Sequence, residues 1–194
     1  MKRIWWIVLG LVVVLVVSGI GTYNRLVSGQ EAVTSAWSQV ENVYQRRADL
    51  IPNLVETVKG YAAHERATLD EVVNARAKVG QMTIDKSVIE NPATLAKFQQ
   101  MQGELSSALS RLMVVAEQYP DLKANQNFLA LQSQLEGTEN RITVERHRYN
   151  EVAQQFNTMR RSFPTVVFAR LGGFGAKTYF EAQAGAEKAP QVKF

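Results

Sequence analysis

Stepping by sevens from Phe128 gives Phe128, Leu135, Ile142, Tyr149, Phe156 and Phe163. A companion series three residues on reads Leu131, Thr138, Glu145, Val152 and Met159. The 3-4 spacing puts both series on one helical face, the face that a partner helix covers. Pro120 suits a first helical turn, where a missing N–H costs nothing, and Pro164 stops the pattern. The spacing therefore predicts one helix over 121–163, about 65 Å long at 1.5 Å per residue. A rod of that length with one apolar stripe needs other long helices beside it.

The rest of the chain supplies them. Residues 30–79 carry the sevens Trp37, Tyr44, Ile51, Val58, Glu65, Val72 and Val79, with Val33, Val40, Arg47, Leu54 and Tyr61 among the companions. Pro52 falls inside this pattern, but the apolar phase crosses it without a slip. The spacing thus predicts one long helix kinked at Pro52 rather than two. The pattern lapses over 80–91. Ser87 with Glu90 forms one candidate helix start there and Asn91–Pro92 another. The helix that follows presents Leu95, Phe98, Leu105, Leu109, Leu112, Ala116 and Tyr119, and its short connection to Pro120 predicts an antiparallel neighbour.

Residues 4–24, IWWIVLGLVVVLVVSGIGTYN, carry no charge. About 20 such residues span a bilayer core, and Trp5, Trp6 and Tyr23 stand where amphipathic rings favour the interface. The run is too long for a signal-peptide core and no small-residue cleavage motif closes it, so an uncleaved anchor is expected. Lys2 and Arg3 precede the run and Arg25 follows it. The positive-inside bias then puts the N-terminus in the cytoplasm and the rest outside it; in a bacterial cell that is the periplasmic side of the inner (plasma) membrane. The expected fold is all-α: an N-terminal transmembrane helix over 1–27, an elongated antiparallel helical bundle over 28–171, and a C-terminal tail over 172–194 packed on the bundle. Thr165–Leu171 reads as a short apolar helix. The aromatic residues of the tail, Phe174, Tyr179, Phe180 and Phe194, favour docking over a second membrane or partner contact.

The chemistry-bearing residues are sparse. With no cysteine, disulfides, thiolate nucleophiles and zinc–thiolate sites are excluded. His64 and His147 have no second ligand at metal spacing, and the segment Gly173–Thr178 lacks the glycine before lysine of a phosphate loop. No serine has a base and an orienting acid on a turn. The net charge is only +4, and the basic residues between Arg141 and Lys177 are interleaved with Glu145 and Glu151. Nucleic acid is therefore not an expected partner. Three charges fall on predicted seams: Arg47, Glu65 and Glu145. They form a candidate polar layer, read first as a structural ion-pair layer that fixes register and second as an internal site.

Several strings resemble the LemA family of bacterial membrane-anchored helical proteins: YNRLV at 23–27, AWSQV at 36–40, QRRADLIPNLVETVKGYAAHE at 45–65, YPDLKANQNFLALQSQLEGTENRI at 119–142, RHRYNEVAQQFN at 146–157 and the Pro190–Val192–Phe194 ending. The resemblance implies one anchor followed by a helical bundle, with no catalytic residue, cofactor or metal to carry over. A relative in magnetotactic bacteria belongs to machinery that shapes magnetosome membranes, which hints at membrane organisation by analogy. The expected function is a non-enzymatic scaffold in the lipid bilayer that forms a homo-oligomer and organises membrane or envelope partners. An accessory or regulatory subunit of a membrane enzyme is the alternative, and a hydrolase using the seam carboxylates a third class. Val33, Trp37, Val40 and Tyr44 form the expected self-association stripe, because the helix at 92–119 is too short to cover them.

Overall fold

The computed structural model describes residues 2–82 and 84–181. Six helices follow in order: α1 (Lys2–Lys59), α2 (Arg66–Gly80), α3 (Pro92–Ala116), α4 (Pro120–Lys123), α5 (Gln126–Arg161) and α6 (Thr165–Leu171). Successive long helices reverse direction, so α1, α2, α3 and α5 make an up-down-up-down bundle, with α1 packed chiefly on α5 and α2 on α3. The ending Pro190–Val192–Phe194 lies outside the described residues.

The apolar run and the first bundle helix are one element. α1 is 58 residues long, and its N-terminal part is apolar enough to cross a membrane, with none of that stretch buried in the protein. Its apolar surface is compatible with a single-pass anchor. Pro52 lies inside α1 without ending it, as the unbroken phase predicts.

Two boundaries differ from the expectation. The helix expected over 30–79 ends at Lys59, and the chain turns through 60–65 before α2. Tyr61 N–H donates to the Val58 carbonyl at 3.0 Å, a tightened last turn, and Ala62 N–H donates to the same carbonyl at 2.8 Å. Ala62 and Leu69 are both buried, so the apolar phase runs through the reversal and hides it. The helix expected over 121–163 is likewise split. Asn125 has extended backbone and its Oδ1 accepts from the N–H groups of Asn127 (2.9 Å) and Phe128 (3.0 Å), which starts α5 afresh. Of the two candidate starts for α3, Asn91 is the one used, its Oδ1 accepting from Ala93 N–H at 2.9 Å with Pro92 in the first turn.

The core falls into two apolar clusters along the bundle. The membrane-proximal one joins Trp37, Val40 and Tyr44 to Phe98, Tyr149 and Phe156, and the distal one runs from Ile51 and Leu54 to Leu109, Leu112 and Phe128. α3 reaches further along α1 than expected, its Phe98 packing edge-on against both Trp37 and Tyr44, and the rest of the gap is filled from elsewhere in the chain. Val88 and Ile89 from the loop before α3, Ala169 from α6, and Phe174 and Phe180 from the tail are all buried in the proximal cluster.

Candidate functional site

Arg47 lies between the two clusters, 1 % exposed, and draws groups from two other helices. Its Nη1 donates to Ser106 Oγ at 2.9 Å and to a Glu139 carboxylate oxygen at 2.5 Å, and its Nη2 donates to Gln102 Oε1. The guanidinium also stands over the Tyr44 ring, 5.2 Å from its centroid. A guanidinium can be buried here because most of its donors are matched by oxygens from α3 and α5. Glu139 keeps 40 % of its side chain exposed, so the pair is buried on one side only.

α2 joins this level from the other flank. Arg76 Nε donates to the Ala48 carbonyl at 2.9 Å. All four long helices thus meet in one polar layer, α1 through Arg47 and Ala48, α2 through Arg76, α3 through Gln102 and Ser106, and α5 through Glu139. The expected layer of Arg47, Glu65 and Glu145 is not formed. Glu65 sits at the distal turn, where Tyr119 OH donates to its Oε1 at 2.9 Å. Glu145 is partly exposed, its nearest cation Arg148 at 4.0 Å on the same helix. The partner of Arg47 is Glu139, which the seam phase places beside Thr138 rather than on the seam itself.

The stripe Val33, Trp37, Val40 and Tyr44 is present as one apolar face, but it is no free surface. All four residues are buried within the chain, at 5 % exposure or less. Trp37 stacks on Phe180 at 5.9 Å and meets Phe98 and Tyr149 edge-on. Phe98 of α3, Tyr149 of α5 and Phe180 of the tail together cover the stripe from within the chain.

How the tail is held was missed from the sequence. α6 closes with Gly172 and Gly173, the latter at φ +71°, and Phe174 N–H donates back to the Ala169 carbonyl at 2.9 Å. This left-handed closure turns Phe174 into the core and sends the chain out extended. Two asparagines of α5 then act as substitute strand partners. Asn157 Nδ2 donates to the Lys177 carbonyl at 2.7 Å while its Oδ1 accepts from Lys177 N–H at 2.9 Å. Asn150 does the same for Phe180, at 2.9 and 2.8 Å. Seven helical residues rise about 10.5 Å and three extended residues about 10 Å, so the two spacings match. Between the clamps Tyr149 OH donates to the Thr178 carbonyl at 2.7 Å, and on the far side Thr178 N–H donates to the Ile89 carbonyl at 2.9 Å. Burial pushes the Tyr149 hydroxyl pKa up, so it remains a donor. Lys177 is 5 % exposed and its Nζ pairs with Glu90 Oε1 at 2.7 Å. The signal was available: Tyr149, Asn150, Phe156 and Asn157 all lie in RHRYNEVAQQFN.

Chemically, both arrangements fix helices and tail in register. Both histidines are exposed, with His147 Nδ1 at 3.6 Å from Glu151, and among the described residues no three metal-binding side chains converge. An open groove of about 480 Å³ runs beside the polar layer between α3 and α5, with Leu109, Met113 and Leu135 along it and Ser106 and Glu139 at its edge.

This architecture has relatives. The chain is 27% identical over 146 residues to Protein LemA of Metamycoplasma hominis, covering 75% of this chain and 63% of the relative. It is 27% identical over 180 residues to the magnetosome protein MamQ of Magnetospirillum gryphiswaldense, covering 84% and 66%, and 26% identical over 175 residues to MamQ 2 of Paramagnetospirillum magneticum, covering 82% and 64%. The chain thus spans a little under two thirds of the length of these curated relatives. A sequence model of the LemA family matches residues 36–194, which takes in α2, α3, α5, both asparagine clamps and the tail they hold, and the chain belongs to the LemA family.

Proposed function

We propose that the chain is a membrane-anchored, non-enzymatic scaffold that self-associates and organises membrane or envelope partners. The observation that carries this reading is the continuity of α1, in which the apolar run and the first bundle helix form one rod from Lys2 to Lys59. A bundle joined without a linker holds a set height and orientation above the bilayer, which suits an organiser. Copies confined to one plane in one orientation meet at raised effective concentration, so weak lateral contacts suffice. Relatives named for the magnetosome, an assembled cellular body, are in keeping with such a role. Lys2 and Arg3 ahead of the run favour a cytoplasmic N-terminus, with the bundle on the outer face of the plasma membrane.

The test is cross-linking in native membranes together with particle size in mild detergent. The expected result is cross-linked species and a particle larger than one chain. A monomer in several mild detergents, with no cross-link in membranes, removes the scaffold. The groove between α3 and α5 favours the second reading, an accessory subunit of a membrane enzyme such as a protease or a signalling protein. That protein is small alone and co-purifies with its enzyme. Protease added to spheroplasts tests the orientation, and digestion of the bundle is expected.

A further inference from the structure

The proximal end of the bundle carries apolar surface that none of the described residues covers. Val167 is 47 % exposed and Leu171 82 %, and their four-residue spacing puts them on one side of α6; Phe163, 85 % exposed, stands in the turn just before it. The opposite side of α6 is packed, with Ala169 buried and Phe168 against the proximal cluster. α6 is thus apolar on both sides, one packed on the bundle and the other left exposed, which is unusual for a water-facing surface.

Its position supplies the reason. α6 packs on α1, and the Phe168 ring lies so close to Gly19 that a Cβ there would meet its Cε1 at 3.0 Å. Gly19 belongs to the uncharged run that ends at Asn24. Five residues of helical rise put that contact about 7–8 Å inside the polar end of the run. Interfacial helices bury their apolar face by about 5–10 Å. Between Glu151 and Glu181 there is no acidic residue, while Arg160 and Arg161 precede the stripe and Arg170 lies within it. Arg161 and Arg170 are exposed.

We infer that Phe163, Val167 and Leu171 form a second membrane contact, a monotopic wedge that enters the bilayer interface beside α1, with Arg161 and Arg170 on anionic headgroups. The occupant of this face is the lipid that α1 itself traverses. The wedge rests on α1 being anchored, and the two are separable by experiment. It also divides what the sequence left joined: residues 174–181 dock on the bundle, and residues 163–171 meet the membrane.

The absence of cysteine makes the test direct. Single cysteines at Phe163→Cys, Leu171→Cys, Val13→Cys and Ser133→Cys in the full chain take a nitroxide label. The protein is reconstituted in phosphatidylcholine vesicles containing roughly a quarter phosphatidylglycerol, and collision rates are read with lipid-soluble oxygen and a water-soluble nickel chelate. Positions facing lipid favour oxygen and those facing water favour nickel, so the logarithm of the ratio changes sign at the interface. The expected result is a positive sign at 13, 163 and 171 and a negative sign at 133. A negative sign at 163 and 171 with a positive sign at 13 overturns the wedge and leaves the anchor. A label at 13 that favours nickel overturns the anchor itself. Labels at 163 and 171 shielded from both reagents mean that protein covers the face, which also overturns the wedge.

Discussion

Arg76 donates its Nε–H to the carbonyl of Ala48 at 2.9 Å, the very carbonyl that Pro52 deprives of its helical partner. A proline inside a helix leaves the oxygen four residues back without a donor, and a partly buried orphan costs about 1–3 kcal/mol. Here α2 supplies the donor. The defect in α1 and the docking of α2 are therefore one interaction, and they are separable by a double-mutant cycle. Arg76→Ala is expected to cost about 1–2 kcal/mol in the wild-type background and clearly less in Pro52→Ala, where the residue 52 amide again serves Ala48. Thermal melts of the detergent-solubilised chain measure both. Equal costs in the two backgrounds would assign Arg76 some other role.

The Arg47–Glu139 pair is lopsided, with side-chain exposures of 2 % and 40 %. Removing Glu139 leaves a cation that cannot reach water, whereas removing Arg47 leaves a carboxylate that can. Glu139→Ala is expected to destabilise by about 3 kcal/mol, towards the cost of an uncompensated buried charge. Arg47→Met, which keeps most of the volume, is expected to cost less. Glu145→Ala is expected to cost less than Glu139→Ala, because it removes a half-buried carboxylate whose Oε2 has no hydrogen-bond partner and strands no buried cation. Denaturation midpoints rank the three, and Glu145→Ala as the worst would reinstate it as the seam carboxylate.

Asn150 and Asn157 each hold both backbone groups of one tail residue. Asn157→Ala is expected to loosen the tail by about 3 kcal/mol, at roughly 1 kcal/mol for each of its two bonds to Lys177 and its bond to the Tyr179 hydroxyl. Protease should then cut after Gly175 while the helical content stays unchanged. Trp37→Glu, which removes the ring that Phe180 stacks on, is expected to release the tail and also lower the melting temperature. Hydrogen exchange at the Lys177 and Phe180 amides reads the same opening residue by residue. Protection unchanged in Asn157→Ala would show that side-chain burial alone holds the segment.

Tyr149 and Tyr44 both carry hydroxyls whose pKa is pushed up, chiefly by burial. A pKa higher in the folded chain than in the unfolded one means that the folded form retains its proton longer. The stability involved is intact below the unfolded tyrosine value, near 10, and is lost as pH rises above it. The melting temperature is expected to fall more steeply above about pH 10 for wild type than for Tyr149→Phe. That variant starts lower at neutral pH because it lacks the bond to the Thr178 carbonyl. Parallel curves would show that other groups dominate alkaline unfolding.

The all-helical fold, the unbroken passage of α1 through Pro52 and the seam position of Arg47 were legible in the heptad positions. What escaped has physical causes. The turn at 60–65 buries Ala62 in phase with its flanks, so periodicity carries no trace of the reversal. Glu139 enters the polar layer from beside the seam, and a list of seam positions omits it. Part of the cover on the Trp37 stripe, Phe180, comes from an extended segment, which has no helical period to match. It is fastened by Asn150 and Asn157, whose amides look like ordinary polar surface until the backbone they pair with is in place. Asn125, by contrast, was a readable N-cap signal.

The continuity of α1 through Pro52 has a mechanical consequence for the proposed anchor. With the apolar run in a bilayer, residues 25–59 would extend it as an arm of about 52 Å. Spans change their tilt to suit the thickness of the hydrocarbon layer. With this arm, a change of about 10° swings the distal tip sideways by about 9 Å. Bilayer thickness is thereby converted into lateral displacement far from the lipid, on a scale that a neighbouring protein can feel.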